Sequence, residues 1–204
     1  MLTPTRKGSD YHHGDLRHAA VIAARNLVSS RGIHSLGLRK VSTNVGVSPA
    51  ALYRHFENLE QLRADVAAQI RSEIADLMIA KRDRVLKSSS AKKFAIDRFE
   101  ALGRGYVEYA KKNPRLFEIA FIPCEAEATW DSEDRAWQVL QESVAELESA
   151  GLLDRRTKEI APMMAWSSVH GLATLIAQEA IPAREHPKSL SDIFAGIQLA
   201  LFKL

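Results

Sequence analysis

The sequence predicts an all-α protein: an N-terminal three-helix domain built around a helix-turn-helix, then a C-terminal helical bundle. Three observations carry this. Apolar residues recur at spacings of three and four along nearly the whole chain, the period of a buried helix face. No segment shows the alternation of a half-buried strand. Between two short helical patterns, Gly46-Val47-Ser48-Pro49 supplies the stop and start signals of a tight interhelical turn.

The elements follow in order. Residues 1–13 form a polar arm with Arg6 and Lys7, either disordered or able to reach a minor groove. Residues 14–60 make the first domain. Asp15 caps a helix with Leu16, Ala19, Ala20, Ala23 and Leu27 on one face, stopped by Gly32. Leu38, Val41 and Val45 share a face of the next helix, and Gly46 tolerates the left-handed backbone at its end. Val47 plugs the turn, Ser48 offers an oxygen to the amides of the following helix, and Pro49 takes the first helical position. Leu52 and Phe56 turn inward there, leaving Ala50, Ala51, Tyr53, Arg54 and His55 outward.

Residues 61–204 form the second domain, entered on a long helix. Asn58 and Gln61 read as the capping box that opens it, Leu62, Val66, Ile70, Ile74 and Leu77 as its apolar face, and Lys87 as its approximate end. Ser88-Ser89-Ser90 marks a loop. Further helices are expected over about 91–112, 115–121, 131–150, 157–180 and 189–203. The breaks are Asn113-Pro114, a loop over 123–129, Gly151 and a proline-containing loop over 181–188.

Composition narrows the function. Residues 1–60 carry eight Lys/Arg against four Asp/Glu, whereas residues 61–204 carry twenty against twenty-one. A basic end on a near-neutral body is the electrostatic footprint of a nucleic-acid contact. The single Cys124 excludes an intramolecular disulfide and a Cys-rich zinc site. The N-terminus has no apolar run and no stretch approaches eighteen apolar residues, so a cytoplasmic protein with no membrane partner is expected. His12, His13 and His18 lack a fourth ligand at a sensible spacing, so no metal is expected. No nucleophile-elbow, zinc-protease or phosphate-loop pattern is present, and Gly103-Arg104-Gly105 lies inside a helical pattern. The expectation is no enzyme and no cofactor.

The run VSTNVGVSPAALYRHF, with its Gly-Val-Ser turn and Tyr-x-x-Phe helix, resembles the signature of the TetR family of bacterial transcriptional regulators. The preceding YHHGDLR (Tyr11 to Arg17) is similar to the lead-in of one branch of that family. Trp166, His170 and Gly171 resemble the same branch's Trp-His-Gly signature. The likeness is strong over residues 11 to about 75 and looser beyond. Gly37 stands where the family has Ser or Thr, Ser42 where it has Ala, and Leu59 where it commonly has Lys, which implies weak DNA affinity per half-site.

The resemblance implies a TetR-like regulator, more often a repressor, acting as a homodimer on near-palindromic double-stranded DNA and released by a small, largely apolar effector. The rival reading is a DNA-binding dimeric protein whose body is a docking module with no effector. DNA-contact candidates are Arg39, Lys40, Ser48, Pro49, Ala50, Ala51, Tyr53, Arg54 and His55. Ser48 and neighbouring amides can hold a phosphate. Tyr53 and His55 match family positions that touch the backbone. Arg39 and Arg54 either read guanine edges or contact phosphate, or else are solvated charges; Ala50 and Ala51 can meet thymine methyls. Effector-lining candidates are Phe99, Tyr106, Phe117, Phe121, Trp137, Trp166 and His170, each open to a plain core role. The small residues Ala161, Ala165, Ser168, Gly171, Ala195 and Gly196 are candidates for a four-helix dimer interface.

Overall fold

The computed structural model describes residues 13–123, 134–153 and 156–202, with side chains from Leu16 onward. The arm up to residue 12, the Asp15 side chain, Cys124 and the loop expected over 123–129 beyond its first residue lie outside these residues. The described residues form α1 (His13–Arg31), α2 (Leu38–Val45), α3 (Pro49–Tyr53), α4 (Leu59–Asp83), α5 (Ala91–Lys112), α6 (Pro114–Ala120), α7 (Arg135–Ser149), α8 (Thr157–Ala177) and α9 (His186–Leu201). Among them no strand occurs, only an isolated antiparallel bridge between Leu153 and Phe202. Contacts divide the chain into two units, with the division after Val66. The expected domain boundary lies after residue 60, so α4 contributes its first turns to one unit and the rest to the other.

The first unit packs α1 across α2 and α3. Leu16, Ala20, Ala24, Leu27 and Val28 of α1 are buried with Leu38, Val41, Leu52, Phe56 and Leu62. Ala19 and Ala23, expected on the core face, are only half-buried, because the buried stripe runs through Ala24 and Val28. α1 begins at His13, ahead of the expected cap, and Gly32 ends it at φ 78°. Gly46 closes α2 at φ 80°, its N–H donating to the Ser42 and Thr43 carbonyls. The capping box at α4 is reciprocal with one shift. Asn58 Oδ1 accepts from the Gln61 amide and Gln61 Oε1 accepts from the Glu57 amide, both at 2.9 Å.

One side chain ties the first unit together. Arg17 of α1 forks onto Asp65 through Nε to Oδ2 at 2.7 Å and Nη2 to Oδ1 at 2.9 Å. Its Nη1 donates to the His55 carbonyl at 3.2 Å, and its guanidinium lies 5.0 Å from the Phe56 ring centroid. The chain leaving α3 is thereby fixed to both flanking helices of its unit.

In the second unit α5 is central, packing on α8, α7 and α6, while α8 also packs on α9. Met78 of α4 is buried, whereas Leu77, expected on the apolar face, is half-buried, and α4 stops at Asp83 short of Lys87. Gly103 and Gly105 owe their place to packing. A Cβ at Gly105 would lie 2.9 Å from the Met78 Cα, and one at Gly103 would lie 2.8 Å from the Phe194 ring. α8 is, against expectation, long and apolar enough by composition to cross a membrane, with mean hydropathy 1.3. Its Ala161, Ala165, Val169, Leu172, Ala173 and Ile176 pack into the body, and a core helix needs the same composition.

Gly105→Ala is expected to lower stability by about 1–3 kcal/mol, since backbone cannot move aside as a flexible side chain can; urea denaturation would read it, and an unchanged midpoint would contradict so close a helix approach. Arg17→Lys keeps the charge but loses the fork. With Arg17 43% exposed, solvent screening keeps the expected loss of stability in the first unit to about 1 kcal/mol. Amide exchange protection in α2 and α3 would fall; full protection in the variant would show that the fork holds nothing.

Candidate nucleic-acid interface and body cavities

The local sequence turns one side of the α2–α3 segment outward. Leu38, Val41, Ser42, Leu52 and Phe56 are buried, and most of the polar residues between them face solvent. Arg39, Lys40, Ser48, Pro49, Ala50, Tyr53 and Arg54 are exposed; Ala51 and His55 are half-buried. Tyr53, at 54% exposure, is a large aromatic side chain that the fold does not enclose. Ser48 Oγ accepts from the Ala51 amide at 3.3 Å, the expected cap, which leaves its hydroxyl proton to reach an anion. α3 has only 5 residues, so Arg54 stands at its C-cap and His55 in the turn beyond. Arg17 was not among the candidates, although it belongs to the YHHGDLR run. The sequence signal was an Arg on a helix whose neighbours Leu16 and Ala20 are core.

Among the described residues the body holds two small spaces, a groove between α6 and α8, and a wider groove of about 590 Å³ between α5 and α7 over Phe94, Arg98 and Glu146. The first, about 50 Å³, is walled by Arg71, Tyr106, Phe121, Asp134, Trp137 and Trp166 among others. The second, about 30 Å³, adjoins Phe99, Tyr106 and Trp166. The groove between α6 and α8, about 450 Å³, runs over Phe117, Phe121 and His170. Every effector-lining candidate therefore borders one of these first three. Phe99 and Phe117 are also core residues, 4% and 3% exposed.

A connected cluster of rings joins the first three. Trp166 stacks on His170 with centroids 5.1 Å apart, and Phe121 meets the same imidazole edge-on at 4.7 Å. Tyr106 Oη lies 2.7 Å from His170 Nδ1. Burial pushes the Tyr106 phenol far up from its ordinary value and pushes His170 down, so both stay neutral at neutral pH. Arg71 and Asp134 pair at 2.9 Å beside the rings. Asp134 also caps α7, accepting from Ala136 at 2.9 Å. Neither was a sequence candidate, though Arg71, Ile74 and Met78 share a helical face that borders the first cavity.

The expected small-residue interface is corrected in part. Ala161 and Ala165 are 0% and 2% exposed, consumed by packing within the body, and Ser168 is half-buried with its hydroxyl on the Met164 carbonyl at 2.8 Å. Gly171, Ala195 and Gly196 are exposed, and the space beside Gly171 and Gly196 is open. Ile160, Met163 and Leu175 on α8 and Leu199 on α9 expose large apolar side chains, which the small-residue pattern did not single out.

Comparison with known proteins agrees with this geometry. Residues 21–66 match the model of the bacterial regulatory proteins of the tetR family, and residues 99–196 match that of the tetracyclin repressor-like C-terminal domain. An uncharacterized HTH-type transcriptional regulator, YobS of Bacillus subtilis, is 27% identical over 165 residues, 81% of each chain. Among solved structures, a Rhodococcus sp. RHA1 protein of unknown function superposes with TM-score 0.76 at 22% identity, over 96% of this chain and 100% of that one. A TetR family transcription regulator from Marinobacter aquaeolei VT8 does so with TM-score 0.64 at 17% identity, over 93% and 96%. The helix-turn-helix unit and the helical body both carry the family's pattern, and the chain belongs to the TetR family of DNA-binding transcriptional regulators, which are not enzymes.

Proposed function

We propose that the chain acts as a homodimeric repressor on a near-palindromic operator and that a small effector bound in the body releases it. The observation that carries the DNA half is the outward set on α2 and α3: Arg39, Lys40, Tyr53 and Arg54 are exposed while Leu38, Val41, Leu52 and Phe56 beside them form the core. The two arginines supply bidentate donors for guanine edges or phosphate, and Tyr53 an anchor on the backbone. Such work belongs in the cytoplasm, where the DNA is.

Dimerisation is assigned to α8 and α9. Gly171 and Gly196 allow close approach beside the exposed Ile160, Met163, Leu175 and Leu199, and two such helix pairs form a four-helix contact. For the effector, size and lining together select the place. The cavity of about 50 Å³ is far below the roughly 300–1,000 Å³ of ligand pockets, whereas the groove between α6 and α8 of about 450 Å³ and that between α5 and α7 of about 590 Å³ fall within that range, and of these two the aromatic candidates and His170 border the former. The small interior spaces favour the rival, a docking body without effector, which forecasts no ligand effect on DNA binding. Release by about tenfold needs only ~1.4 kcal/mol of coupling between the two sites.

Tyr53→Ala is expected to weaken binding to operator and random DNA alike, and Arg54→Ala to cost about 1–3 kcal/mol on the operator with relaxed preference at one base position. Operator fragments selected by the purified protein and measured by gel shift test both; equal losses on operator and random DNA for Arg54→Ala would remove it from base reading. Gly171→Glu or Ala195→Glu is expected to give monomers that no longer hold the operator. Sedimentation at micromolar concentration reads this directly, and a monomeric parent protein would overturn the interface.

A further inference from the structure

We propose that His170 presents its Nε2–H to the groove between α6 and α8, and so selects an uncharged effector whose polar group is a hydrogen-bond acceptor: a carbonyl carried on an apolar body. The inference rests on the proposed effector role of the body and names the chemistry that role takes.

The argument is an accounting of protons. The Tyr106 hydroxyl has one proton, and its hydrogen-bond partner among the described residues is His170 Nδ1 at 2.7 Å. With the opposite tautomer, Nδ1–H would point at the phenol. The deeply buried Tyr106 hydroxyl would then lack an acceptor among the described residues, an arrangement that costs about 1–3 kcal/mol. A neutral imidazole carries one N–H, so the proton sits on Nε2.

That second nitrogen has no partner among the described residues, and it is not sealed from solvent. The ring lines the groove and is held by Trp166 stacked at 5.1 Å, Phe121 at 4.7 Å and Phe117 at 5.6 Å. Turning it over would replace Nδ1 by carbon against the Tyr106 hydroxyl. The rim adds a charge criterion. Arg115, Glu118 and Glu179 border the groove, one cation against two carboxylates, which disfavours an anionic head. An ammonium head would set donor against donor at Nε2. What remains is a neutral acceptor over the two Phe rings.

The test uses the full-length protein labelled with nitrogen-15 and four naphthalene probes: 2-acetylnaphthalene, 2-ethylnaphthalene, 2-naphthoate and 2-(aminomethyl)naphthalene. Imidazole nitrogen spectra of the free protein are expected to show His170 protonated at Nε2. The ketone is expected to bind about tenfold tighter than the hydrocarbon, the worth of one hydrogen bond at the upper end of its range, and to shift that proton downfield. It should also bind more tightly than the acid or the amine. The preference should vanish in His170→Leu and persist in His170→Gln, whose amide puts an N–H near the place of Nε2. An Nδ1–H tautomer, equal binding of ketone and hydrocarbon, tighter binding of a charged probe, or no ketone binding at millimolar concentration would each overturn the proposal. Should His170→Leu fail to fold, the tautomer of the parent and the probe series on it still decide. No DNA is present, so a failure here leaves operator binding, read by gel shift, to stand or fall separately.

Discussion

The body turns on how closely α5 lets its neighbours approach. Gly105 meets the backbone of α4 at Met78, and Gly103 meets the ring of Phe194 from α9. At such distances a side chain would have to be absent, and the large residues beside the glycines fill the space left by the approach. Tyr106 and Tyr109 go deep in consequence, 4% and 5% exposed. A buried phenol is tolerable only when its hydroxyl has a partner. Tyr109 finds Glu73 at 2.7 Å and Tyr106 finds His170 at the same distance. Helix spacing, aromatic burial and polar order are therefore one arrangement.

The first unit solves a different problem with fewer atoms. Its two shortest helices, of 8 and 5 residues, cannot satisfy many of their own end groups. Caps do that work at Ser48, Gly46 and Asn58. Arg17 does it at the far end of α3, where one guanidinium serves a carboxylate twice and a backbone carbonyl once. Because Leu38 and Val41 of α2 and Leu52 of α3 are used inside, the basic and aromatic side chains are left for a partner. The outward face is a by-product of core formation, and it suits a polyanion.

Much of the first unit was legible in the sequence because its signals are local. A glycine that must be left-handed, a serine before a proline, and an Asn-x-x-Gln spacing each act over one turn of chain, and each does so in the fold at Gly46, Ser48 and Asn58. The bounds of α5 were legible for the same reason, set by Ser90 and by Asn113-Pro114. Register on long helices was less so: Met78 rather than Leu77 is buried, and Ala24 rather than Ala23. Both members of each pair are apolar, so the period alone does not choose between adjacent positions.

The sequence by itself determined the fold class, the helix-turn-helix and the outward place of Ala50, Tyr53 and Arg54, though not the half-burial of Ala51 and His55. Only the tertiary structure decided the rest. Small residues on α8 serve two faces, and packing against α5 and α9 took Ala161 and Ala165 while leaving Gly171 open. Arg71 and Asp134, Arg17 and Asp65, and Tyr106 and His170 lie 48 to 64 positions apart in the chain, yet each pair meets within 3 Å. Patterns of three and four residues carry no record of such meetings, because they arise from how whole helices cross, and that is settled by the volume of every side chain between them.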